Sequence, residues 1–214
     1  MLPTESLTSI FIFSFIISFG AVISPGPVSA AIITEAPRSG WRVGPLVASG
    51  HTFLELIMVI LIGFGLASIM GNPMVGLVLS IAGGIVLLGL GSRYIYAASK
   101  GLMSLPTGEI HSTNRSARSL VSLGMVTTLA NPYWYTWWVT VAAGYLIQAQ
   151  AMSVAAVAAF YLGHISADFF WDTSLGLASN KGKRWISERG YRVLIVCTGG
   201  LMIYFGLAFI LNAW

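Results

Sequence analysis

Apolar residues run through this chain in long unbroken stretches. They show neither the two-residue alternation of a half-buried strand nor the narrow stripe of a surface helix. Six stretches stand out, at about 9–33, 44–70, 74–98, 120–146, 151–179 and 193–213. Each is long enough to cross a hydrocarbon layer, which takes roughly 20 apolar residues as a helix. The pattern predicts an all-α integral membrane protein of six transmembrane helices, with 1–214 as a single domain. Without alternation, a membrane β-barrel is a poor reading. Met1 to Glu5 holds no Lys or Arg, so the first stretch reads as a span and not as a cleaved signal.

Composition strengthens this picture. Hydrophobic residues make up 56% of the chain and charged residues 8%, against about 25% charged in an ordinary soluble domain. Mean hydropathy is +0.82. A soluble monomer, a disordered chain and a nucleic-acid binder are all excluded as useful readings. The single cysteine, Cys197, excludes an internal disulfide. Its neighbours Ile195, Val196 and Thr198 lead us to expect a buried, inert thiol.

The position of the charges matters more than their sum. All 11 Lys and Arg fall in or beside the first, third and fifth connections, and the opposite face carries none. Positively charged loops stay in the cytoplasm. The expected orientation is therefore basic loops inside and both termini outside, in a bacterial or archaeal cell (inner) membrane.

The two halves of the chain resemble each other. Gly50-His51 is followed by Glu55 in the second stretch, and Gly163-His164 by Asp168 in the fifth. The third and sixth carry Gly83-Gly84 with Gly89-Leu90, and Gly199-Gly200 with Gly206-Leu207. The first and fourth carry deep prolines, in Ser24-Pro25-Gly26-Pro27 and Asn131-Pro132. We expect two three-helix repeats, about 9–98 and 120–213, with the first and fourth helices broken at proline. A linker at about 99–119 joins them on the cytoplasmic side, and its His111 is expected to be solvated. Three spans per repeat force the second copy to insert upside down. Inverted repeats are associated with secondary transporters, whose sites lie near the midplane at broken helices.

These breaks and the charged residues are the candidate chemistry. Proline removes an amide donor and clashes with the preceding turn, and backbone groups freed in this way cannot face lipid. Ser24, Pro25, Gly26, Pro27, Asn131 and Pro132 are thus candidates for a substrate site in which a half-helix N-terminus attracts a carboxylate. A charge at the membrane centre costs about 3 kcal/mol on insertion scales, so Glu55, Asp168 and Asp172 should face the bundle interior. Asp168 and Asp172 are four residues apart, as are His51 and Glu55, and His164 extends the Asp168 stripe. Buried among like charges, such carboxylates can hold a proton near neutral pH. They and the two histidines are candidates for proton coupling or for meeting a substrate ammonium. Trp134 belongs to an aromatic run that begins near mid-span, where it can line a site and attract a cation. The chain holds no HExxH, GxSxG or P-loop pattern. We expect no enzyme, no cofactor and no resident metal. The alternative is a divalent-metal exporter, because histidines and carboxylates together form a nitrogen–oxygen ligand set.

Ser24-Pro25-Gly26-Pro27, the approach through Gly40 and Gly44 to Gly50 and Glu55, Asn131-Pro132, and the run from Arg189-Gly190 to Gly199, Gly206 and Leu207 resemble the LysE/RhtB family of bacterial amino-acid exporters. The resemblance covers essentially the whole chain. Tyr133 stands where many members carry Lys, and His51 and His164 are not general family features. The resemblance implies export of an amino acid, and the residues fit a small zwitterionic solute moved outward in exchange for protons. The implied partners are the substrate, protons and the lipid bilayer, with room for a homo-oligomer.

Overall fold

A computed structural model describes residues 2–3, 6–23, 26–65, 72–102, 115–182 and 185–211. The regular secondary structure of the described residues is all helical, with no strand among them. Helix α1 (Leu7–Val22) starts where the Ser6 side chain accepts the Ser9 amide. Helix α2 (Pro27–Ser39) begins with proline in its first turn, where the missing amide costs little. The two helices meet at 76°, so the first apolar stretch is sharply bent. Gly40 ends α2 at φ +87°, a backbone conformation that favours glycine.

Helices α3 (Val43–Gly63) and α4 (Pro73–Ser99) follow, and Asn72 caps α4. The fourth apolar stretch is divided as well. Helix α5 (Ala117–Leu129) stops, Asn131 accepts the Tyr133 amide, and α6 (Pro132–Trp137) begins. A π-turn (Trp138–Ala142) leads into α7 (Ala143–Met152). Helices α8 (Val154–Gly182) and α9 (Glu188–Leu211) complete the described chain. Helices α3, α4, α8 and α9 are each long and apolar enough to cross a membrane, and α1 with α2 makes a fifth candidate span. The expected breaks in the first and fourth stretches are both present. The expected second stretch extends to about residue 70, but α3 stops at Gly63 and residues 66–70 lie outside the description.

Helix α1 runs along α8, and α3 packs between α5 and α8. Helices α4 and α9 form a separate close pair. Glycines allow this approach: a Cβ on Gly206 would sit 2.8 Å from the Gly84 carbonyl oxygen, and one on Gly199 would sit 2.7 Å from that of Gly91. Small residues commonly let membrane helices come together. Helix α2 joins the pair to the rest. Tyr191 of α9 donates to the Thr34 carbonyl of α2 at 2.7 Å, and Ala30, Tyr94, Tyr191 and Met202 share one apolar cluster. Arg115, just before α5, lies 3.4 Å from the buried Glu35 of α2.

Cys197 is exposed on α9, which corrects the expectation of a buried thiol. In a membrane helix, apolar neighbours mark the lipid-facing side as readily as the packed side. His111 and most of the expected linker lie outside the described residues.

Candidate functional site

Four parts of the fold converge on one cavity of about 610 Å³: the α1–α2 bend, the middle of α3, the α5–α6 break with α6, and the middle of α8. Of the expected site residues, Gly26, Pro27, His51, Glu55, Asn131, Trp134, His164, Asp168 and Asp172 all line it. Ser24 and Pro25 lie outside the described residues. Pro132 occupies the first position of α6.

Glu55 is the hub. It projects from α3 and is 1% exposed. Its Oε1 lies 2.7 Å from His164 Nε2, 3.1 Å from His51 Nε2 and 3.4 Å from Trp134 Nε1, which donates to it. Asp168 stands beside this hub. Its Oδ1 is 3.8 Å from His51 Nε2 and its Oδ2 is 3.5 Å from His164 Nε2. The two carboxylates are therefore not equivalent, and Glu55 is not the isolated group that a symmetric pair of acids facing one cavity would contain. Asp172, one turn further along α8, lines the same cavity, and neither of its oxygens has a hydrogen-bond partner among the described residues. Glu55 Oε2 and Asp168 Oδ2 are likewise buried without one. Buried acceptors without partners are costly, which makes this cluster a natural place for a cation or a proton.

Each imidazole is also held from behind. His51 Nδ1 is 2.7 Å from Thr128 Oγ1 of α5, and His164 Nδ1 is 2.5 Å from Ser18 Oγ of α1. Trp137 stacks on the His164 ring at 4.6 Å, while Trp138 meets it edge-on at 5.0 Å. Nothing in the sequence singles out Ser18 and Thr128, whereas Trp137 and Trp138 belong to the aromatic run that holds Trp134. Hydroxyls are common in membrane helices, and only their register relative to the histidines could have marked the first two.

The other wall of the cavity has a different character. Gly26, Pro27, Val28 and Ser29, the first residues of α2, line it. Among the described residues no side chain caps this helix end, so its leading amides and the positive end of its dipole face the cavity, where an anion can meet them. Phe205 and Phe209 of α9 and Tyr133 of α6 add apolar surface, and Tyr133 meets Phe209 edge-on at 5.2 Å. One ligand atom each from His51, Glu55 and Asp168 falls within 4.8 Å of the others, a spacing that a divalent cation could bridge.

A family model, LysE type translocator, matches residues 11–213. The chain belongs to the LysE type translocator family. No curated protein and no solved structure matches it. As a LysE type translocator with several helices able to cross a bilayer, it is a multi-pass membrane transporter and not an enzyme. Its substrate is a small molecule, and the cavity is large enough to hold one.

Proposed function

We propose that this translocator exports a small zwitterionic solute, an amino acid, in exchange for protons. One observation carries the reading: a single cavity presents a helix N-terminus and a cluster of three buried carboxylates. The first suits a substrate carboxylate and the second a substrate ammonium. Trp134 offers its ring to the same ammonium. A volume of about 610 Å³ lies within the range of small-molecule sites. The family supports export. The chemistry of the walls supports a substrate carrying both charges.

Coupling follows from competition. A proton on a cluster carboxylate removes the charge that holds an ammonium, so substrate and proton exclude each other. Release of substrate on one side of the membrane then favours proton uptake there, and the return step carries that proton inward.

The repeat architecture supports alternating access, with 9–98 and 120–213 as inverted halves of one domain and six spans in all. Three pairs of contacts match between the halves. A Cβ on Gly163 would strike the Phe11 carbonyl, and one on Gly50 the Val121 carbonyl. Ser14 Oγ donates to the Phe160 carbonyl, and Gly124 closes on that of Val47. Ser18 meets His164 as Thr128 meets His51. Phe11, Ser14 and Ser18 share their spacing with Val121, Gly124 and Thr128. We place both termini outside the inner membrane on the distribution of basic residues.

A second reading, export of a divalent metal ion, is favoured by the spacing of His51, Glu55 and Asp168. Counterflow in proteoliposomes, with a panel of labelled amino acids and divalent metals, separates the two. Exchange of an amino acid without added metal supports the first reading. Exchange of a metal alone replaces it with the second.

A further inference from the structure

We propose that Thr128 is a positioning residue that fixes His51 as its Nδ1–H tautomer and so turns the Nε2 of that ring toward Glu55. Thr128 is fully buried, and its hydroxyl has one hydrogen to give. That hydrogen goes to the Gly124 carbonyl, 2.7 Å away and one helical turn back. The hydroxyl can then only accept from His51 Nδ1, also at 2.7 Å. His51 Nδ1 must carry a hydrogen, because two lone pairs facing each other at that distance would repel.

The consequence appears at the other side of the ring. A neutral imidazole with Nδ1–H has a bare Nε2, and here Nε2 lies 3.1 Å from Glu55 Oε1. Two acceptors at that separation need a proton between them, held on either His51 or Glu55. Thr128 touches neither the cavity nor the carboxylate, yet it commits one proton to the centre of the site. The proton sits among His164, Asp168 and Asp172 of α8, with Trp134 of α6 donating to Glu55 from the side.

The second half of the chain lacks this lock. Ser18 holds His164 Nδ1, but its hydroxyl hydrogen is not committed to a backbone carbonyl among the described residues. It can donate or accept, so Ser18 does not select the tautomer of His164, whose Nε2 instead lies 2.7 Å from Glu55 Oε1. The two matching positions thus differ in one respect: Thr128 bonds its own helix and Ser18 does not. His51 is set by the hydroxyl behind it, and His164 by the carboxylate in front of it.

This inference rests on hydrogen-bond geometry. Only its effect on transport rests on the exporter reading above. The test is nitrogen-15 NMR of the full-length protein labelled at histidine, with the His51 signals assigned as those lost in His51→Gln. Wild type should show a protonated Nδ1 on His51. Thr128→Val keeps the shape and removes the acceptor, so the Nε2–H tautomer should appear. Thr128→Ser should restore the wild-type pattern. If Thr128→Val does not fold, Thr128→Ala gives the same readout with less bulk. In proteoliposomes, proton-driven transport should fall about tenfold in Thr128→Val, the scale of one lost hydrogen bond to a charged group, and recover in Thr128→Ser. A bare Nδ1 in wild type, or an unchanged tautomer in the valine and alanine variants, overturns the proposal. A shifted tautomer in a protein that transports no amino acid would uphold the lock and refute the exporter reading instead.

Discussion

At the scale of single residues, the site is written in scarcity. Charged side chains are only 8% of the chain, so Glu55, Asp168 and Asp172 stand out within apolar runs, and all three line the cavity. Hydroxyls carry no such contrast, which is why Ser18 and Thr128 were illegible until the helices were set side by side. Glu35 was hidden for another reason. It falls just past the end of the expected first span, and the bend at Gly26 leaves it buried beside Arg115. Trp134 allows its two contributions to be weighed separately. Its Nε1–H contact to Glu55 is long, at 3.4 Å, so the ring should matter more than the hydrogen bond. Trp134→Phe should weaken substrate binding by less than about threefold, whereas Trp134→Ala should weaken it about tenfold, the range of a desolvated cation–π contact. Titration calorimetry with the substrate identified by counterflow would measure both, and equal losses would assign the effect to the hydrogen bond.

At the scale of helices, proline spacing marked where the chain would break, because a lost amide and a ring clash act locally. The angle of the break was beyond the sequence, since it depends on what α2 packs against. Glycine placement carried more information than its frequency suggested. Gly50 and Gly163 each sit against a neighbouring backbone carbonyl, with no room for a Cβ. Gly50→Val and Gly163→Val should therefore push α5 from α3 and α1 from α8. Overpacking costs about 1–3 kcal/mol, and a backbone atom cannot rotate away as a side chain can. Both variants should melt earlier in detergent than Gly144→Val, whose site is open. Melting temperatures unchanged from wild type would mean that the helices can separate freely.

At the scale of the whole molecule, the run lengths foretold membrane helices, and the family match agrees. The charge distribution makes a further prediction. A fluorescent protein that matures only in the cytoplasm should stay dark when fused after Trp214, and bright fusions would remove the inverted repeat with the orientation. What the sequence could not show was the inequality of the two acids. Glu55 joins both histidines and Asp168 stands aside, although the motifs that carry them match residue for residue at Gly, His and acid. The central claim is that substrate ammonium and proton compete for this carboxylate cluster. Substrate affinity measured against pH in detergent, for wild type, Glu55→Gln and Asp168→Asn, tests it most directly. Protonation removes the negative charge, so wild-type affinity should fall as pH is lowered. Neither the glutamine nor the asparagine side chain can take up that proton, so both variants should bind weakly and with a shallower pH dependence, since two carboxylates remain in each. One pH-independent affinity shared by all three proteins would contradict the account and leave these residues a packing role alone.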